Sequence, residues 1–236
     1  MSRTPTSLTP LLRGDLYRAL ALAFDYPSTE TSATLETLLA DLRAVGTVGG
    51  VEVPAPLLAL ARAWSSRSAP ELQARFHRLF DTEGSLGYCE SAWRHLDRGA
   101  ILRDVTGFYR AFGFAVPDAE GQPDSIRHEL AFMSYLAYKE WFAIEQGWAE
   151  RAAVTRDAEV EFLADHLGLW VETFAARLSD AGSETEYAHI GELLAAWIAA
   201  ECRHFDVALG SAPVAFPTAL VDPLQGGCPS TEGSAP

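Results

Sequence analysis

At 236 residues, with 48% hydrophobic and 21% charged side chains, the chain can bury one substantial core and is too apolar to stay disordered. Its formal net charge of −14 sets a nucleic acid or an anionic membrane surface against it and suits a cationic partner better. Cys89, Cys202 and Cys228 form no CxxC pair, so a disulfide framework or zinc ribbon is not expected and a reducing, cytoplasmic setting is.

Residues 1–9, polar and Pro-bearing with no apolar h-region, read as a disordered arm. Leu12, Leu16, Leu20 and Ala23 then share one face of a helix over about 10–24, which Pro27 follows. A second helix, over about 32–45, carries Leu35, Leu38, Leu39 and Leu42, and a third spans about 56–66. Ser68-Ala69-Pro70-Glu71 is a capping box with proline in the first turn, opening a fourth helix through Leu72, Phe76, Leu79 and Phe80. Residues 81–97 are irregular, with Gly84 and Gly87 as breakers.

The stretch 98–142 holds two helical patterns around a turn. Ile101, Leu102, Val105, Phe108, Tyr109 and Phe112 recur at three- and four-residue spacings, and that pattern stops at Gly113. Ile126, Leu130, Met133, Leu136 and Ala137 form the second stripe. Between them Pro117, Gly121 and Pro123 forbid a continuous helix, and Asp124 is placed to cap the second one. A long helix follows over about 149–179, its stripe running from Val160 through Leu167 and Trp170 to Leu178. Gly182 and Ser183 break it, and Ser183 with Glu186 makes a second capping box. The last helix reaches about Leu209 through Ile190, Leu194 and Trp197, and residues 210–236 form a tail rich in Pro, Gly and Ser. The expected fold is all-α: one domain of about eight helices over 10–209.

Several chemistries fail on spacing. His128-Glu129 starts an HExxH-like run, but Phe132 occupies the second ligand position. The pairs Glu186/His189 and Glu201/His204 have di-iron spacing, yet they lie fifteen residues apart on one predicted helix, about 22 Å by helical rise. Phosphate-binding glycine loops and the GxSxG elbow are absent, so no metal, cofactor or catalytic residue is expected. His166, near an apolar stripe, reads as a core or hinge histidine. What remains is aromatic: Phe80, Tyr88 and Trp93 gather around the irregular 81–97 segment. Such a cluster can complete a core, or it can line a peptide groove in which Asp81, Glu90 and Asp124 meet arginines.

Five pieces in order carry a likeness to a known family. They are Glu71 with Phe76-His77-Arg78-Leu79-Phe80; Tyr88-Cys89-Glu90-Ser91; Asp104 with Gly107 through Gly113; Pro123-Asp124-Ser125-Ile126 with Glu129 through Met133; and Phe162 through Trp170. On these the chain resembles the TorD/DmsD/NarJ family of molybdoenzyme-specific chaperones, the redox enzyme maturation proteins. Its wording is nearest the branch serving dimethyl sulfide and ethylbenzene dehydrogenases and chlorate and selenate reductases. One departure stands out: the family's P-D-H turn reads Pro123-Asp124-Ser125, with His128 one helical turn further on as the candidate substitute.

The resemblance implies a TorD-like, cytoplasmic, non-enzymatic assembly chaperone. Its partner would be the apo catalytic subunit of a molybdopterin-containing oxidoreductase of the DMSO reductase superfamily, held before export while the cofactor is inserted. Some members hold the twin-arginine signal peptide, and relatives occur as monomers or helix-exchanged dimers. The client-binding residues expected here are Phe76, Phe80, Tyr88, Glu90, Ser91, Trp93, Asp124, Ser125 and His128, acids for guanidinium groups and aromatics for an apolar stretch. The competing readings are a helical metal-dependent oxidase and a helical adaptor without a client peptide.

Overall fold

The computed structural model describes residues 9–48, 55–81, 86–117, 121–183 and 185–210. The expected N-terminal arm, apart from Thr9, and the C-terminal tail beyond Gly210 lie outside the described residues. Thr9 opens α1 (Pro10–Ala23): its hydroxyl accepts from the Leu12 N–H, and Pro10 lies in the first turn, where no N–H is needed. Next come α2 (Thr29–Val48), α3 (Ala55–Ser65) and α4 (Ala69–Phe80). The Ser68–Glu71 box opens α4 as the sequence predicts, with the Glu71 carboxylate 2.9 Å from the Ser68 N–H. A single 3-10 turn, Glu90–Ala92, lies in the irregular segment before α5 (Arg98–Phe112) and α6 (Ile126–Glu145). Gly113 ends α5 at φ 73°, the left-handed conformation that favours glycine.

The long helix expected over about 149–179 is continuous but not uniform. A π turn over Leu163–Leu167 joins α7 (Ala149–Phe162) to α8 (Gly168–Ala181), so α7 and α8 make one rod and the described residues form eight rods in all. The final helix, α9 (Glu186–Phe205), stops at Asp206 in a left-handed conformation, short of the expected Leu209. Among the described residues the sole β feature is an isolated antiparallel bridge between Cys89 and Ser125. The architecture is all-α, as expected.

Two predicted caps are corrected. Thr185, not Ser183, caps α9, and Glu186 turns inward to pair with Arg75 of α4. Ser125, not Asp124, caps α6, because the Asp124 carboxylate is engaged elsewhere.

Packing follows the apolar stripes. α1 lies along α6, α8 along α9, and α6 along α7. Gly191 lets α9 approach α8: a Cβ there would sit 2.4 Å from Ser179 Oγ and 2.7 Å from the Ala175 carbonyl oxygen. The core is aromatic, with Tyr17, Trp64, Phe132, Phe162, Trp170, Phe174 and Tyr187 fully buried. Each such side chain contributes about 1.5–3 kcal/mol by leaving water. A charged cluster is sealed within: Arg13 of α1 meets Glu140 of α6, Glu159 of α7 and Glu201 of α9. The unbroken α9 separates the two Glu-x-x-His pairs, and Glu201 is committed to Arg13, so a shared metal centre is ruled out.

Candidate functional site

Backbone pairing brings the irregular segment onto the corner before α6. The Glu90 N–H donates to the Asp124 carbonyl at 2.8 Å, and the Ile126 N–H donates to the Tyr88 carbonyl at 2.8 Å. Asp124 adds a side-chain bond, its Oδ2 accepting from the Ser91 N–H at 3.1 Å. Behind the corner, the Tyr109 hydroxyl donates to the Pro123 carbonyl at 2.9 Å, and Ser125 Oγ lies 2.8 Å from His128 Nδ1. These contacts form a latch between two segments that the sequence separates by about thirty residues.

The latch is closed to solvent. Glu90, Asp124, Ser125 and His128 are all buried. The Glu90 carboxylate meets Arg94 on one side and His166 Nδ1, at 2.8 Å, on the other. Burial works against its charge, but the His166 and Arg94 contacts outweigh that and hold the carboxyl below its ordinary value. Glu129 lies deeper still, where burial and the neighbouring Glu90 push its carboxyl well up; Trp170 Nε1 donates to it at 3.2 Å. Burial and the charge of Asp124 push the Cys89 thiol up to about 12, which makes it a poor nucleophile. Trp93 is also internal, its indole N–H bonded to the Gly87 carbonyl at 2.7 Å and its ring edge-on to Phe174.

The other predicted residues form a row that runs from the core to the surface. Phe80 is buried at the base of an aromatic row, with Phe76 half-buried 5.1 Å away and Tyr88 exposed 5.9 Å away. Tyr26, absent from the sequence reading, extends the row: its ring lies 5.6 Å from Phe76 and 5.5 Å from His77. Phe80 also touches Phe24 and Tyr187, which root the row in the core. Tyr26 follows the end of α1 in a D-Y-P loop, outside any periodic stripe; an aromatic beside a proline was its one signal.

Carboxylates flank this row. Asp81 Oδ2 stands 2.6 Å from His77 Nδ1, and Asp25 Oδ1 stands 3.5 Å from Arg127 Nε. Beyond Asp25 a groove of about 290 Å³ runs between α1 and α6, walled by Ala21, Leu22, Ala131, Tyr135 and Tyr138. The predicted residues therefore come together in two groups with different characters. Glu90, Trp93, Asp124, Ser125 and His128, with the half-buried Ser91, build an internal buttress. Phe76, Phe80 and Tyr88 sit on an open apolar row, with Asp25 and Asp81 as the accessible acids. Among the described residues, no three His, Cys, Asp or Glu side chains are grouped so as to hold a metal ion.

A family model described as nitrate reductase delta subunit matches residues 50–176, a little over half of the chain. That span includes α4, the latch and the π turn. None of the curated proteins matches.

Proposed function

The chain belongs to the nitrate reductase delta subunit family, whose members are molybdoenzyme maturation chaperones rather than enzymes, and from that premise we propose that the aromatic row is where it holds its client. The client is the apo catalytic subunit of a molybdopterin-containing oxidoreductase of the DMSO reductase superfamily. The enzyme is of the dimethyl sulfide, ethylbenzene, chlorate or selenate type, and the chaperone works in the cytoplasm before export while the cofactor is inserted. The segment held is the subunit's twin-arginine leader, an arginine pair followed by an apolar stretch.

One observation carries this reading: an open row of Tyr26, Phe76 and Tyr88, flanked by Asp25 and Asp81, on a protein of net charge −14. The apolar stretch of a leader lies on the rings, and its guanidinium groups meet the flanking carboxylates. Magnitudes rank the two contributions. A solvent-exposed ion pair is worth about 0–1 kcal/mol, whereas a well-packed aromatic anchor contributes about 2 kcal/mol or more. Affinity therefore rests on the rings, and the acids set orientation and encounter rate. Glu90 and Asp124 act one step behind, by fixing the Tyr88 backbone. Among the described residues no helix is long and apolar enough to cross a membrane.

The test is calorimetry of the full chain with a synthetic peptide carrying two adjacent arginines and an apolar stretch. Phe76→Ala combined with Tyr88→Ala should weaken binding by about thirtyfold or more. Asp25→Asn should weaken it by less than about fivefold, and only at low salt. A folded double variant with an unchanged dissociation constant removes the aromatic row from the site.

A further inference from the structure

On another part of the surface a cavity of about 410 Å³ is walled by Leu96, Ala100 and Ile101, with Arg94, Arg103 and Asp104 around it and His166 in its lining. His166 lies in the π turn, a distortion of α-helix that is frequent at functional sites. Its ring is packed between Phe162, with centroids 4.7 Å apart, and Phe108, at 5.7 Å. The Glu90 carboxylate accepts from Nδ1 at 2.8 Å, which fixes the ring's orientation and leaves Nε2 directed at the cavity. There Nε2 is buried and makes no hydrogen bond; the nearest carboxylate oxygen, Asp104 Oδ2, is 3.6 Å away.

We propose that this cavity binds a carboxylate, which displaces the Asp104 side chain and accepts a hydrogen bond from His166 Nε2 with Arg103 closing over it. Asp104 already shows which chemistry the nitrogen attracts. Its tether on α5 stops the carboxylate just beyond hydrogen-bond reach, a limit that does not bind a diffusing ligand. The Asp104 side chain is 64% exposed, so it can swing aside without disturbing the core. Arg103 is exposed, and Arg94 has only its Nη1 committed, to Glu90 and the Asp165 carbonyl, so guanidinium N–H groups remain for the ligand's oxygens. With Glu90 on Nδ1 and the ligand on Nε2, both ring nitrogens act as donors. Leu96, Ala100 and Ile101 offer the ligand's carbon skeleton an apolar wall. The carboxylate can come from a free small acid or from an acidic side chain of a bound polypeptide. The proposal is independent of the client site, since no residue of the aromatic row lines this cavity.

The experiment follows the His166 ring ¹⁵N resonances of the full chain during titration with succinate, with an acetylated Gly-Glu-Gly amide and its Gln counterpart, and with inorganic phosphate. A saturable shift at Nε2 with succinate alone assigns a free acid; a shift with the Glu peptide but not the Gln peptide assigns a polypeptide acid. Either result supports the proposal. Asp104→Ala, which removes the internal competitor, should tighten binding about three- to fivefold, and Arg103→Gln should weaken it by a similar factor. A role for His166 confined to packing moves neither constant. The proposal is overturned by the absence of saturation with every carboxylate, by phosphate binding more tightly than any carboxylate, or by an Asp104→Ala variant that binds no better than the parent.

Discussion

Glu159→Gln should make the protein more stable, by an amount that pH controls. Glu159 is fully buried beside Arg13, which has one positive charge to share among three carboxylates. Glu201 takes the Arg13 Nε, with oxygens at 2.9 and 3.1 Å, and also Nη2 at 2.8 Å. Glu140 takes Nη1 at 3.0 Å and is further supported by Arg156 at 3.2 Å. Glu159 is the least compensated of the three, with Oε1 making no hydrogen bond. Burial, with the charges of Glu140 and Glu201, raises its carboxyl from an ordinary 4.5 to about 8, despite the attraction of Arg13.

The folded protein thus keeps a proton on Glu159 that the unfolded chain releases near pH 4.5. The stability contributed by this group is fullest below that pH and falls as pH rises toward about 8, above which the group changes it no further. At about 1.4 kcal/mol per pH unit, the span from 4.5 to neutrality is worth about 3 kcal/mol, and the full span about 4–5 kcal/mol. Glutamine keeps an acceptor for Arg13 and has no charge to desolvate. Urea unfolding at about pH 5, 7 and 8.5 should show the variant ahead of wild type by about 3 kcal/mol at neutrality, with the gap nearly closed at the acid end. Parallel pH profiles, or a variant less stable than wild type at the alkaline end, would falsify the account and make Glu159 an ionised partner of Arg13.

Asp124→Ala leaves the Ser91 N–H without the carboxylate it now meets at 3.1 Å, so the chain should lose about 1–3 kcal/mol. Amide exchange at Ser91 should accelerate well before exchange in α9 does, and simultaneous acceleration of both counts against a local latch. Gly168→Ala places a Cβ 2.6 Å from the Leu163 carbonyl oxygen inside the π turn, which should cost about 1–3 kcal/mol in thermal unfolding. A variant as stable as wild type would show that the turn relaxes freely.

The helices were legible because their signals are local. The Ser68–Glu71 box and the Gly113 stop are read within four residues, and the structure reproduces both. Adjacent candidates were the first point of failure. Asp124 and Ser125 are both good capping residues, and what separates them is an amide thirty-three positions away at Ser91. The same limit governs Glu90. An acid in a Gly-bearing loop suggests exposure, and the partner that holds it inside, His166, lies seventy-six residues downstream in a π turn. A π turn leaves little trace in apolar periodicity, since it shifts the stripe by one residue and the stripe resumes at Trp170.

These misplacements alter the logic of the candidate site as well as its membership. A groove whose best acids faced the client would draw affinity from desolvated ion pairs, each carrying a penalty of several kcal/mol for leaving water. Here the chain meets that penalty during folding: Glu90 and Asp124 hold the latch, and the latch holds Tyr88 beside Phe80 in the unbound protein. A row fixed in advance loses little entropy when a peptide lands on it. On the proposed reading the overall negative charge and Asp25 and Asp81 then act at longer range, so salt should slow capture of a cationic leader more than it hastens release.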